Sequence, residues 1–136
     1  MISNFPDWLN ESLSPDTKQM MIRELIHVVT QREPELRMGS VLGFRNEKEK
    51  QGVHHTDATK YVDNFEGNYF MISFFRRDYR VVSPLYVIID LHDLSDCKVV
   101  NDSDYTVTAA KLRNQTLPDL FRKYFPNLAA APRFGV

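Results

Sequence analysis

Cysteine is scarce in this chain of 136 residues, which contains Cys97 and no other. A single cysteine cannot form an internal disulfide, so the fold must be held by its apolar core, as is usual in reducing compartments. The segment from Met1 to Leu13 carries Asp7 and Glu11 and lacks the basic start and apolar run of a secretory signal. We therefore expect a cytoplasmic protein.

Long apolar runs and an excess of charge are also missing. No stretch approaches the roughly 18 apolar residues that a membrane-spanning helix needs. The 17 basic and 18 acidic side chains leave a net charge of −1, too little to attract DNA or an anionic bilayer to the chain as a whole. We expect a soluble protein without membrane contacts, in which any contact with nucleic acid would come from a local patch.

Several signatures of catalysis and nucleotide binding are absent. The sequence has no Gly-x-Gly-x-x-Gly, no Gly-Lys-Ser/Thr phosphate loop, no Cys-x-x-Cys and no Gly-x-Ser-x-Gly. Nothing in it therefore indicates a cofactor. Cys97 with His92 as base would be a conceivable nucleophile, but its place beside a predicted strand favours a small buried apolar residue.

What is present is the composition of one globular domain, with 43% apolar and 26% charged residues. The predicted order is helices, one strand, a loop, three strands and helices. This order favours an α+β fold in which N-terminal and C-terminal helices flank a short, mostly antiparallel sheet of about four strands. We predict a single domain over residues 1–128 and a flexible C-terminal tail over 129–136, unless Phe134 finds a pocket.

The helices are predicted from caps and apolar spacing. Ser14-Pro15-Asp16-Thr17 has a serine N-cap, a proline in the first turn and an acid near the positive end of the helix dipole. The helix that it begins should run over 15–32 and stop at Pro34. A short helix docked by Trp8 is expected before it.

The remaining elements are predicted from alternation and from a second set of caps. Strands are expected over 36–44, with a bulge at its glycines, and over 67–75, 85–91 and 97–101. The second strand has apolar residues on both faces, and its short connection to the third predicts an antiparallel hairpin. Ser103 or Thr106 should cap a helix that reaches Asn114, and Thr116 should cap another one that Pro126 ends.

The histidines are the first candidates for chemistry. His54, His55 and Asp57 lie in one polar stretch, and His92 follows the third strand. Imidazole and carboxylate groups bind transition metals and transfer protons near neutral pH. These four residues would be the acid, base or metal ligands of a small enzyme that acts on phosphodiester or nucleotide substrates. The simpler interpretation is that they hydrogen-bond locally in exposed loops.

Two family patterns match parts of this cluster. His55-Thr56-Asp57 resembles the His-x-Asp element of the two-histidine, one-carboxylate facial triad, in which His92 would be the third ligand. The eight-strand pattern of the jelly-roll oxygenases is missing. His54-His55-Thr56 resembles one His-x-Thr element of the two-histidine phosphoesterases, but Leu94 occupies the threonine position of the second element. Neither family is carried over to the chain.

The second candidate is an arginine-aromatic segment at the predicted hairpin tip, where Arg76, Arg77 and Arg80 are interleaved with aromatic residues such as Tyr79. Arginine and tyrosine are enriched in protein–protein hot spots. Guanidinium groups also bind phosphates, and aromatic rings stack on unpaired bases, so RNA or single-stranded nucleic acid is an alternative ligand. A solvated turn is the plainest alternative.

Basic residues also outnumber acids in the C-terminal region. Lys111, Arg113, Arg122, Lys123 and Arg133 stand against Asp104 and Asp119. If the fold placed these residues beside the arginine-aromatic segment, they would form one basic surface with it. Otherwise they would form a solvated helix face with an apolar stripe behind it.

The leading hypothesis is a non-enzymatic binding protein of the inhibitor, immunity or adaptor type. It would dock on a macromolecular partner, foremost another protein, through Arg76, Arg77, Tyr79 and Arg80. A homodimer is compatible with the same residues. The histidine- or metal-dependent enzyme is the rival hypothesis, and it requires the histidines to converge in one pocket.

Overall fold

The computed structural model of the chain describes residues 13–45, 65–77, 83–100, 103–126 and 134–135. Within these ranges the α-helices are α1 (Pro15–Arg32), α2 (Thr106–Lys111) and α3 (Leu117–Tyr124), and the strands are β1 (Leu36–Phe44), β2 (Tyr69–Arg76), β3 (Leu85–Asp90) and β4 (Lys98–Val100). The strands form one antiparallel sheet in the order β1-β2-β3-β4. The predicted α+β fold is therefore confirmed.

Helix α1 begins and ends where its sequence predicts. The Ser14 side chain accepts a hydrogen bond from the backbone N–H of Thr17 at 3.2 Å, which satisfies one of the unpaired donors of the first turn. At the other end, the N–H of Glu33 donates to the Val29 carbonyl before Pro34 stops the helix. The buried stripe of α1 packs into the core and contains Met21, Ile22, Leu25 and Val29.

The sheet has two apolar faces, as its strongest strand predicts. Phe70, Ile72 and Phe74 of β2 belong to the main core, which also contains buried apolar residues from all three helices. Alternate residues point to the opposite face. There, a second cluster contains Leu42, Phe44, Tyr69 and Ile88, with Met71 and Tyr86 packed against it.

A buried lysine links α1 to the residues just before β2 by hydrogen bonds. The Lys18 ammonium donates to the backbone carbonyls of Glu66 at 3.1 Å and Gly67 at 3.0 Å. Burial lowers the pKa of Lys18, and the nearby charge of Glu66 partly opposes this change. These bonds satisfy two carbonyl groups, so Lys18 has a structural role.

The C-terminal helices correct one prediction. Thr116 has helical backbone angles and its side chain caps nothing, so it does not begin a separate helix. Instead, a π-helical turn over Leu112–Thr116 joins α2 to α3. In a regular α-helix the ring of Pro118 would clash with the carbonyl four residues earlier, and this wider turn lets the helical path continue past it.

Part of the C-terminal tail is anchored. The Phe134 ring packs edge-on against Phe121, with ring centroids 5.2 Å apart. Gly135 extends the sheet, because its carbonyl accepts from Val99 N–H at 2.8 Å and its N–H donates to the Cys97 carbonyl at 3.0 Å. The Phe134 ring is therefore buried against the core, which was the condition under which this part of the tail would be ordered. Residues 129–133 and 136 lie outside the described ranges.

Two further predictions concern an N-terminal helix and membrane-spanning segments. The predicted helix around Trp8 falls outside them. None of the helices within them combines the length and the apolar character needed to cross a bilayer.

Candidate functional site

The arginine segment lies at the end of β2. Arg76 is the last residue of the strand and Arg77 follows it, whereas Tyr79 and Arg80 lie outside the described residues. The antiparallel register pairs Arg76 with Leu36 and Phe75 with Arg37 at the start of β1. The sheet thus adds Arg37 to the candidate site. Sequence reasoning missed this residue because only strand pairing brings it close.

Arg37 and Phe75 form a stacked pair. The guanidinium carbon of Arg37 lies 5.0 Å from the centroid of the Phe75 ring, within range of a cation–π interaction. Gly39 makes room for the ring: a Cβ there would lie 2.5 Å from Cε2 of Phe75 and 2.7 Å from Oγ of Ser73. The bulge between Met38 and Ser40 therefore places a glycine where the Phe75 ring presses against β1.

Arg77 is held by the turn that precedes β1. Its backbone N–H donates to the Glu35 carbonyl at 2.8 Å, and its Nε donates to the Pro34 carbonyl at 3.0 Å. Its side chain is exposed. Of the described residues, none offers a carboxylate partner to this guanidinium. We refer to Arg37, Phe75, Arg76 and Arg77 as the β2-end surface.

The described basic side chains of the C-terminal helical region have partners in the folded protein. Lys111 lies 3.6 Å from Glu33, Arg122 lies 3.2 Å from Asp119, and Lys123 lies 2.6 Å from Glu24. Arg113 donates to the Val99 carbonyl at 3.0 Å. Arg133 lies outside the described ranges. In the Arg122–Asp119 and Lys123–Glu24 pairs the basic side chains are well exposed, which favours the interpretation of a solvated helix face there.

His92 and Asp90 organise the turn after β3. One carboxylate oxygen of Asp90 accepts from the N–H groups of His92 at 2.9 Å and Asp93 at 3.3 Å. The His92 ring Nε2 lies 3.2 Å from the Arg45 carbonyl oxygen. Burial raises the pKa of Asp90, and the two backbone N–H bonds and His92 act in the opposite direction. Asp90 thus has its hydrogen-bond partners within this turn, whereas the His92 ring contacts the backbone of Arg45, just after β1.

The other members of the histidine cluster, His54, His55 and Asp57, lie outside the described residues. Their convergence with His92 stays a prediction. Within the described ranges, no three histidine, cysteine or acidic side chains are placed to hold a metal ion.

Cys97 is buried completely and contacts the backbone of Asp90. Its sulfur accepts from the Asp90 N–H at 3.4 Å. Burial raises the pKa of the Cys97 thiol to about 12, although the hydrogen bond from Asp90 acts in the opposite direction. The thiolate that a nucleophile needs is therefore strongly disfavoured, as expected for a small buried residue.

We expect Cys97 in the folded protein to resist alkylation. A thiol with a pKa near 12 is ionised to only about one part in ten thousand near pH 8, and burial adds a steric barrier. Labelling by a thiol reagent should therefore be at least about 100-fold slower in native buffer than in guanidinium chloride. Rapid stoichiometric labelling of the folded protein would contradict the assignment and revive the nucleophile hypothesis.

The chain was compared with protein-family models, curated protein sequences and solved structures. No protein-family model, curated protein sequence or solved structure matches it significantly. What the fold defines is an α+β protein with a four-stranded antiparallel sheet. A functional interpretation must therefore come from the geometry of the candidate site.

Proposed function

We propose that the chain is a non-enzymatic binding protein that docks on another protein through the β2-end surface. The observation that carries the proposal is the Arg37 guanidinium stacked over the Phe75 ring, at the strand end where Arg76 and Arg77 follow. Arginine and aromatic side chains, phenylalanine included, are enriched in protein interfaces. Here the fold brings both types together on the end of two paired strands.

Preorganisation supports the proposal. Immobilising a long side chain at an interface costs about 0.5–1.5 kcal/mol. Arg77 is already tethered to the Pro34 and Glu35 carbonyls, and Arg37 is already stacked on Phe75. Part of this entropy cost is therefore met on folding, which leaves more of the contact energy for binding.

A protein fits this surface better than an unpaired nucleic acid does. Single-stranded nucleic acids bind mainly by stacking bases on exposed aromatic faces. In this structure the Arg37 guanidinium covers one face of the Phe75 ring, so a base would have to displace it to stack there. A partner that presents carboxylates could instead bind the exposed Arg77 guanidinium without disturbing the stack.

Charge reversal at the strand end tests the proposal. The immobilised chain would be used to capture partners from a nuclease-treated lysate, and affinity would then be measured with the purified partner. Arg76→Glu combined with Arg77→Glu should weaken binding by about 30-fold or more, because lost hot-spot contacts cost about 2 kcal/mol or more. The melting temperature should stay close to that of the unmodified protein.

Arg23→Glu combined with Arg122→Glu is the matched control, since it makes the same change in charge on exposed helix positions. We expect this control to bind as the unmodified chain does. Equal affinity for both double variants would overturn the proposal, and capture that nuclease abolishes would favour nucleic acid. If the first variant unfolds, the single change Arg77→Gln at the exposed position replaces it.

A further inference from the structure

The outer edge of β4 is covered by residues from the C-terminal tail. We propose that this edge is a binding site for an extended segment of a partner protein that carries an aromatic residue, and that Phe134 and Gly135 occupy the site until such a segment replaces them. The Cys97 carbonyl, the Val99 N–H and the Phe121 ring together are called the β4-edge site. Because β4 lies at the opposite side of the sheet from β1, this site is separate from the β2-end surface and does not depend on the docking function proposed above.

The backbone of Gly135 shows which hydrogen bonds the site offers. Its N–H donates to the Cys97 carbonyl at 3.0 Å, and its carbonyl accepts from the Val99 N–H at 2.8 Å. Together these bonds form a parallel bridge opposite Lys98. The Val99 carbonyl is already bonded to the Arg113 guanidinium at 3.0 Å, so the ladder does not continue past this bridge.

The Phe134 ring shows which side chain the site accepts. This residue is 8% exposed and belongs to the main core. Its ring lies edge-on to Phe121, which is completely buried and has a second edge-on contact with Phe125. Aromatic pairs favour this edge-to-face geometry. An aromatic side chain of a partner segment would therefore find a fixed ring to pack against.

The position after the aromatic residue is less restricted. A Cβ added to Gly135 would meet nothing within 4 Å, so a side chain there would extend into open space. The N–H of this residue is needed for the bond to the Cys97 carbonyl, which excludes proline. The expected ligand is therefore an extended segment, parallel to β4, with an aromatic residue followed by any residue except proline.

The covering residues are held by few contacts. In the part of the chain that the structure describes, one bridge and one buried ring attach Phe134 and Gly135 to the domain. By contrast, β2 is paired with a strand along each of its edges. Segments with few buried contacts open locally at a lower free energy than the rest of a fold. A partner segment that adds to the edge of the sheet can therefore replace the tail while the domain stays folded.

Peptide binding to the full-length chain tests the site. Phe134→Ala combined with Gly135→Pro should vacate it, because the ring and the N–H donor are both lost. A synthetic peptide with the sequence of residues 129–136 should then shift the Val99 amide resonance in NMR spectra. It should bind this variant at least about tenfold more tightly than the unmodified chain, in which the tethered tail competes at a high effective concentration.

Matched peptides test the expected ligand pattern. Phe134→Ala in the peptide should weaken its binding to the vacated site about tenfold or more, because the buried ring is lost. Gly135→Pro in the peptide should also weaken binding, because the Cys97 carbonyl loses its donor. Gly135→Ala should change the affinity less than about threefold, since the added Cβ is free of contacts.

Several results would overturn the proposal. They are the absence of peptide binding, equal binding to the vacated and the unmodified chain, and equal binding of the parent and Phe134→Ala peptides. A concentration-dependent dimer of the unmodified chain that Phe134→Ala dissolves would assign the site to the tail of a second copy in place of a partner segment.

Hydrogen exchange of the unmodified protein provides a second test if the double variant does not fold. The Val99 amide should exchange at least about 100-fold faster than the Ile72 amide in the centre of β2, because it is released whenever the tail opens. Equal protection of the two amides would show that the tail opens only when the whole domain unfolds. The β4-edge site would then be closed to any partner, and the proposal would be wrong.

Discussion

Replacing Phe121 with alanine should lower the free energy of unfolding by about 3–5 kcal/mol. Phe121 of α3 is completely buried. Its ring lies edge-on to Phe125 at 5.7 Å and to Phe134 at 5.2 Å between centroids. The truncation would leave a cavity at the point where the C-terminal residues attach. It should therefore also release Gly135 from the edge of β4.

Urea unfolding measures this change, and Met20→Ala provides the control. Met20 is a large apolar residue on α1, but 63% of it is exposed, so its truncation should cost well under about 1 kcal/mol. Small domains have about 5–15 kcal/mol of stability in total, so Phe121→Ala should remove a large share. A loss below about 1 kcal/mol would show that the core does not depend on this ring.

Gly67→Ala should also destabilise the fold strongly, by about 1–3 kcal/mol, for a different reason. A Cβ on Gly67 would lie 2.3 Å from the carbonyl oxygen of Phe44 and 2.7 Å from its carbon. Both atoms belong to the backbone of β1 and cannot rotate away as a side chain can. The Gly67 carbonyl also accepts from Lys18 at 3.0 Å, so a shift of the loop would weaken that bond too.

Two other glycines calibrate this prediction in the same unfolding experiment. At Gly135 an added Cβ meets nothing within 4 Å, so Gly135→Ala should change stability little. At Gly39 the closest neighbour is the Phe75 ring, a side chain with some freedom to move. The expected order of destabilisation is Gly67, then Gly39, then Gly135. Equal effects at Gly67 and Gly135 would contradict the close approach of the backbone.

The parts of the fold that were predicted correctly are those with strong local signals. Ser14 and Pro15 define the start of α1 because an N-cap acts on the next three residues of the same chain. The alternation of β2 predicts two apolar faces because side chains in a strand follow a period of two. In both cases the interacting groups are neighbours in sequence.

The incorrect prediction at Thr116 has a tertiary cause. A threonine with a proline in the first turn after it, as in Thr116-Leu117-Pro118, is typical of a helix start. The apolar residues on both sides of it, Leu112 and Leu117, are buried in one core, and a π-helical turn keeps the helical path continuous between them. Packing therefore overrode a preference that is worth only about 1 kcal/mol.

By itself the sequence determined the α+β order, the bounds of α1 and the antiparallel pairing of β2 with β3. Only the tertiary structure decided that Arg37 stacks on Phe75, that Lys111 faces Glu33 and that Gly135 completes the edge of β4. The physical reason is the range of the interactions. Caps and alternation act between neighbours along the chain, whereas ion pairs, ring contacts and sheet edges join residues that only the packed fold brings together.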